Sequence, residues 1–165
     1  MIEFKIVDNN KAIAQVAKLA KEIWNQHYLP MIGSEQVLYM LDKFQSENAI
    51  EQQIAECYKY YLIIDNNIEN RVEAGYFCVK DKGEKLFLSK LYVVDAYRGK
   101  GIGKQGLKFL KSSFDNPVIQ LTVNKNNSDS IAFYKKVGFE IIDDIVTDIG
   151  NGFVMDDYIM EVGNW

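Results

Sequence analysis

At 165 residues, with 48% hydrophobic and 25% charged side chains, the chain has the composition of an ordinary globular protein, and one domain of this length buries about 70% of its unfolded surface. A net charge of −4 and a pI near 5.1 argue against a general nucleic-acid binder. No apolar run approaches the roughly 18 residues of a membrane helix and none follows a basic N-terminal segment, while Cys57 and Cys78 have neither a metal spacing nor a secretory context, so the expectation is a cytoplasmic protein with reduced thiols and no metal.

In chain order, Phe4 and Ile6 alternate with Glu3 and Lys5, a short first strand over 3–7. Asp8, Asn9 and Asn10 supply cap chemistry for a helix over 11–28, whose apolar face carries Ile13, Val16, Ala20, Ile23, Trp24 and His27 and which Pro30 ends. Ser34 and Ser46 are expected to cap two further helices, the second with Ile50, Ile54 and Cys57 inward. Strands follow over 58–64 and 72–80, with a turn at Asp65-Asn66-Asn67 and a bulge marked by Gly75. Asp81-Lys82-Gly83 is a hairpin signal leading into an apolar strand over 86–94. A helix to Phe114, a strand over 118–123, a helix over 131–137 closed by Gly138, and two strands over 139–146 and 153–162 complete the chain.

The chain is organised around the stretch from Lys85 to Phe114. Between its strand and its helix lies Arg98-Gly99-Lys100-Gly101-Ile102-Gly103-Lys104. Glycines at a helix start let a ligand approach backbone N–H groups that have no partner inside the helix, where the helix dipole adds partial positive charge. Arg98, Lys100 and Lys104 add three full charges, and five of the nineteen basic residues fall from Lys90 to Lys108, so the net acidity does not oppose a local anion seat. Three readings of the seat compete. Gly101-x-Gly103-x-x-Gly106 satisfies a dinucleotide fingerprint, but the next strand ends in Val123-Asn124 where an acidic residue is expected. Gly99-x-x-x-Gly103-Lys104-Gln105 falls one residue short of a nucleotide-triphosphate loop and lacks its Ser/Thr. The third is Arg98-x-x-Gly101-x-Gly103 directly after an apolar strand.

That third pattern resembles the acyl-CoA pyrophosphate loop of the GNAT superfamily of N-acetyltransferases. One helix and one strand later, Asn127-x-x-Ser130-x-x-Phe133-Tyr134-x-x-x-Gly138-Phe139 is similar to the second signature of the same family, with Ser130 where Ala is usual. The resemblance is firm over 86–139 and covers the first eighty residues only in outline. It implies a single acetyltransferase domain over 1–165, with an α/β (α+β) fold: a mixed, mostly antiparallel central sheet of about seven strands flanked by helices.

By the same resemblance the cofactor is acetyl-CoA, held in a V-shaped opening between the strands 86–94 and 118–123. Leu91, Tyr92 and Val93 would hold the pantetheine arm through their backbone. The N–H groups of Arg98, Gly99, Gly101, Gly103 and Lys104, in a loop completed by Lys100 and Ile102, would hold the pyrophosphate. Asn127 and Ser130 would meet the pantetheine, and Tyr134 would face the thioester sulfur. An amine then attacks the carbonyl directly, and the Tyr134 phenol, of ordinary pKa about 10, protonates the departing thiolate. For the base, His27 is the single histidine and the candidate, yet it lies on an apolar helix face with Ile23 and Trp24, which favours a satisfied, partly buried structural residue. The carboxylates Glu73, Glu84, Asp156 and Asp157 have no spacing that singles one out.

Acceptor recognition is expected from Tyr28, Tyr39 and Phe44 in the inserted helices and from Asp156 and Asp157 near the C-terminus. If the acidic pair faces the cleft, a cationic acceptor such as a polyamine is attractive. The function expected is acetyl transfer to the primary amine of a small molecule. The alternatives are a protein or peptide N-acetyltransferase, acting on an N-terminal or lysine amine, and a non-catalytic acyl-CoA-binding module. Free edge strands leave a homodimer possible.

Overall fold

The computed structural model describes residues 1–67 and 69–163. Strands β1 (Ile2–Ile6), β2 (Lys59–Asp65), β3 (Val72–Asp81), β4 (Lys85–Val93), β5 (Val118–Asn124), β6 (Glu140–Gly150) and β7 (Phe153–Gly163) form one sheet in the order β1-β2-β3-β4-β5-β7-β6. Every neighbouring pair is antiparallel except β4 and β5. The mixed, mostly antiparallel seven-stranded sheet is therefore as expected from the sequence. Helices α1 (Asn10–His27), α2 (Leu29–Ile32), α3 (Ser34–Phe44) and α4 (Glu47–Ala55) cover one face; α5 (Ile102–Ser113) and α6 (Ser128–Lys136) cover the other.

Each face has its own core, because the pleat of the central strands sends alternate residues to opposite sides. Val16, Ile23, Trp24, Ile50, Tyr60 and Tyr76 pack under α1–α4, while Phe77, Leu86, Leu107, Leu110, Leu121 and Met160 pack under α5 and α6. Full burial of each such aliphatic or aromatic side chain contributes about 1.5–3 kcal/mol.

Local chemistry explains most boundaries. Asn9 Oδ1 accepts from the N–H of Ala12, and Ser46 Oγ from that of Ala49, the expected caps. Four expectations need correction. Cys57, expected inward, lies past the end of α4 at φ +73 and is exposed. Pro30 does not simply end the first helix; it lies in the first turn of α2, where a missing N–H costs nothing. Ser34 is the first residue of α3, and its N-cap is Gly33, at φ +85. The bulge in β3 takes Ala74 as its extra residue, since Gly75 pairs with Ile63 and Glu73 with Ile64. Gly75 is needed for another reason: a Cβ there would stand 2.1 Å from the carbonyl oxygen of Tyr92.

Strand β6 runs four residues beyond its expected end and forms one outer edge of the sheet, β1 the other. Among the described residues no helix is long and apolar enough to cross a membrane, and no group of His, Cys, Asp and Glu is arranged to hold a metal.

Candidate active site

The site follows from one parting of strands. β4 and β5 pair from Lys85–Val118 to Leu88–Leu121, and there the pairing stops. Ser89 is an extra residue, because Leu88 pairs with Val79 while Lys90 pairs with Cys78. Such a bulge exchanges the faces of all that follows. Leu86 and Leu88 face α5 and α6; past the bulge Tyr92 packs with the α1–α4 core, while Leu91 and Val93 pack on the α5–α6 side. From Leu91 to Val93 the backbone of β4 pairs with β3, and the end of β5 pairs with β7, so a V-shaped opening lies between them. A cavity of about 90 Å³ occupies it, walled by Tyr28, Leu91, Tyr92, Ser130, Tyr134 and Asp157 among others. A larger one of about 450 Å³, reaching Phe44, Gln53 and Tyr58, shares the walls Trp24, Met40, Ser89, Lys90, Tyr92 and Thr122 with the first.

At the head of the opening the chain makes a 3₁₀ turn over Asp95–Tyr97 and enters α5. Gly99 and Gly101 have φ of +73 and +76, a left-handed region that only glycine enters without cost, and nothing lies within 4 Å of a Cβ built on either. The first N–H in this region to find a backbone acceptor is that of Gln105, bonded to Gly101 O; among the described residues those of 99–104 find none. Gly103 has a packing role, as a Cβ there would come within 2.8 Å of the Phe133 ring of α6. Lys100 lies over the Tyr97 ring, and the Ile102 side chain is buried. Arg98 departs from expectation. Its N–H closes the turn onto Asp95 O, its Nε donates to Val93 O at 3.2 Å, and its Nη1 lies 2.8 Å from His27 Nδ1.

Those contacts fix the state of His27, the last residue of α1. A guanidinium N–H can only donate, so Nδ1 accepts; Nε2 then carries the proton and donates to Asn127 Oδ1 at 3.2 Å. Burial, with the Arg98 charge second, lowers the His27 pKa below its ordinary 6.5. With both nitrogens engaged, His27 has no free lone pair for an acceptor amine. Asn127 is itself buried, caps α6 through the Ser130 N–H, and donates from Nδ2 to the Tyr28 hydroxyl at 3.3 Å.

Tyr28 stacks on Trp24 and, chiefly through burial, is pushed up to about 12. Tyr134 projects from α6 against Phe133 and Phe139, and its hydroxyl finds no hydrogen-bond partner among the described residues. Burial first, and the neighbouring Tyr28 second, raise its pKa well above the usual phenol value.

The expected acceptor residues divide. Phe44 lines the larger cavity. Tyr39 lines neither; its hydroxyl and Lys43 Nζ both donate to Ile149 O, which ties the β6–β7 turn to α3. Asp156 also lines neither, being exposed and paired with Lys125 at 3.0 Å. Asp157, one residue on and therefore on the opposite face of β7, is buried in the opening, so the acidic pair does not face the cleft together.

Lys90, which belongs to none of the sequence motifs, lines both cavities. Its Nζ donates to Phe44 O at 2.7 Å, to Gln53 Oε1 at 3.0 Å and to the Tyr60 hydroxyl. Burial lowers it to about 8. A lysine inside an otherwise apolar strand was the available signal.

The model of a family described as acetyltransferase (GNAT) domain matches residues 28–161. The chain is 28% identical over 69 residues to the 5-NmdU N-acetyltransferase of Pseudomonas phage PaMx11, a match covering 41% of this chain and 49%, about half, of that relative. Among solved structures it superposes on the PaiA N-acetyltransferase of Thermoplasma acidophilum in complex with coenzyme A, with a TM-score of 0.79, 22% identity and 99% of each chain covered. It superposes also on Arabidopsis thaliana Naa50 in complex with the bisubstrate analogue CoA-Ac-MVNAL, with a TM-score of 0.67, 23% identity and 99% of each chain covered. At these identities the structural likeness is one of fold.

Proposed function

Because this chain belongs to the GNAT acetyltransferase family, we propose that it transfers the acetyl group of acetyl-CoA directly to the primary amine of a small molecule. The observation that carries the reading is the parting of β4 from β5 after Leu88 and Leu121, beneath a glycine-rich helix start whose first N–H groups find no acceptor among the described residues. The unpaired side of Leu91–Val93 offers backbone groups to the amides of a pantetheine arm, as an added strand would. The N–H groups of Gly99 to Lys104 would take the pyrophosphate, aided by the Lys100 and Lys104 charges. Arg98 acts at one remove, bracing the end of β4 and His27. Asn127 and Ser130 stand beside the same arm.

Tyr134 is the acid in this reading. Its burial keeps the proton on oxygen until a thiolate forms beside it, and no partner among the described residues competes with sulfur for the hydroxyl. The small acceptor is supported by the aromatic walls of the larger cavity, Trp24, Phe44, Tyr58, Phe87 and Tyr92, and by its volume of about 450 Å³. A polyamine gains little support, because that cavity sets Lys43 and Lys90 against a single carboxylate, Glu56, and Asp156 points elsewhere.

The test is thermal unfolding with acetyl-CoA, CoA or NAD at equal concentration, followed by CoA release with amines. Ligand that binds the native state raises the midpoint by mass action. A rise with acetyl-CoA and CoA but not NAD, then CoA release with a small amine, is expected. No rise at saturating acetyl-CoA would overturn the reading; release only with an alanyl peptide or lysine peptide would transfer it to a protein acceptor, and binding without release to any amine would leave a binding module.

A further inference from the structure

Asp157 lies on β7 opposite Asn124 of β5, and its side chain lines the opening together with Tyr28 and Tyr134. Only 4% of the residue is exposed, and Oδ1 has no hydrogen-bond partner among the described residues. A buried carboxylate oxygen without a donor is costly, and folds retain such groups where a ligand supplies the missing donor. The surroundings offer no substitute. Tyr28 at the end of α1, Tyr134 from α6, and Tyr92 and Lys90 from β4 are the titratable groups that face the cavity with it. Lys90 already donates to Phe44, Gln53 and Tyr60. On β7 itself Asp156 adds only a like charge, with its own cation, Lys125, engaged by Asp144 and Asp156. A cavity wall that presents an unpaired anion near the acid of the reaction is complementary to a cation with N–H groups.

Resting on the acetyl transfer proposed above, we propose that Asp157 is the seat of the acceptor's ammonium group and the base that takes its proton. The carboxylate accepts a hydrogen bond from R–NH₃⁺ and removes one proton, which leaves R–NH₂ and a neutral carboxyl. The freed lone pair forms the C–N bond to the thioester carbon, and the C–S bond breaks as the oxyanion collapses. Tyr134 gives its proton to the leaving thiolate, the second nitrogen proton restores the phenol, and the Asp157 proton passes to water. Burial, and secondly the Asp156 charge, raise the Asp157 carboxyl to about 6, so that it is ionised at neutral pH yet basic enough to act.

The experiment compares the wild type with Asp157→Asn and Asp157→Glu. Acetyl-CoA binding is measured by calorimetry, and CoA release is followed from pH 5 to 9 with benzylamine, spermidine and an alanyl dipeptide amide. Expected are unchanged acetyl-CoA binding in both variants, a loss of about 100-fold or more in kcat for Asp157→Asn, and partial recovery in Asp157→Glu. The wild-type profile should break near pH 6, and Asp157→Asn should lack that break. An Asp157→Asn protein that binds acetyl-CoA and turns over within about threefold of wild type overturns this assignment alone. Wild type that binds acetyl-CoA but acetylates none of the three amines also overturns it, whereas no binding of acetyl-CoA overturns the parent reading and this one together. If Asp157→Asn does not fold, the wild-type carboxyl ¹³C resonances decide: one that titrates near pH 6 and moves on adding benzylamine supports the assignment, and none that responds to amine overturns it.

Discussion

His27 Nε2 lies 3.2 Å from Asn127 Oδ1, a bond that joins the end of α1 to the cap of α6 across 100 positions of sequence. Its other nitrogen accepts from Arg98, so one neutral imidazole ties together α1, α6 and the loop that leads into α5. His27→Ala should therefore cost about 1–2 kcal/mol in urea unfolding and weaken acetyl-CoA binding through a loosened Arg98. It should leave kcat within a few-fold and the shape of the pH–rate profile unchanged. A variant that binds acetyl-CoA normally but no longer turns over would instead make His27 the base. The lowered pKa also sets a direction with pH. Below about 6.5 the unfolded chain takes up the proton before the folded one, so this site loses stability as pH falls through that value, and His27→Ala should lose less.

Tyr134→Phe isolates a single hydroxyl. Because that hydroxyl has no hydrogen-bond partner among the described residues, its removal leaves no group stranded, and the ring contacts with Phe133 and Phe139 remain. Stability within about 0.5 kcal/mol of wild type is expected, with unchanged acetyl-CoA affinity. The loss should appear in kcat, by about 10²-fold for an acid that protonates the thiolate. Equal kcat in stopped assays of thiol release would return Tyr134 to a packing role.

Some of this site is legible in the residues and some is not, and the division is physical. Gly99 and Gly101 announce themselves because positive φ and the unpartnered N–H groups of a helix start are properties of a few consecutive residues. Asn127, Tyr134 and Gly138 are likewise placed by one short helix with its cap and its end. Asp156 and Asp157 look alike in sequence, yet the pleat turns one to Lys125 in solvent and the other into the opening, and only the register of β7 against β5 says which. Lys90 is harder still. Its direction depends on the bulge at Ser89, and its partners Phe44, Gln53 and Tyr60 come from α3, α4 and β2. Tyr39 and Phe44 lie on one helix, but only the path of the distant β6–β7 turn makes Tyr39 a tether.

Gly75 links that geometry to stability. A methyl group at this position would stand 2.1 Å from Tyr92 O, within the backbone segment proposed to receive the pantetheine, and backbone cannot swing aside as a side-chain tip can. Gly75→Ala should cost about 3 kcal/mol or more, seen as a lowered urea midpoint, and should weaken acetyl-CoA binding by displacing β4. Gly83→Ala is the control, since its Cβ would meet nothing and only its φ of +81 is strained. About 1 kcal/mol, with no change in binding, is expected there. Equal costs for the two would mean that β4 yields freely at Tyr92.

Lys90 predicts a dependence of stability on alkaline pH. In the folded chain burial holds its ammonium at about 8, against an ordinary value of 10.5. Between those values the unfolded chain binds a proton that the folded chain does not, so stability rises with pH across the interval. Below about 8 both states are protonated and the full penalty of burying the charge is present; it is relieved as pH climbs toward 10.5. From pH 7.5 to 9.5 the Lys90 contribution to the rise amounts to about 2 kcal/mol. Other groups oppose it: the buried Cys78 thiol, pushed up to about 12, and the buried tyrosines Tyr60 and Tyr76 keep their protons in the folded state while the unfolded thiol and phenols ionise from about pH 9 upward. Lys90→Met keeps the length of the side chain and removes the charge. Urea titrations should show wild type gaining stability on the variant across the window by that amount, whatever Cys78 and the tyrosines do to both; parallel curves would place the ammonium in contact with water and end the case for a buried cation at the cavity wall.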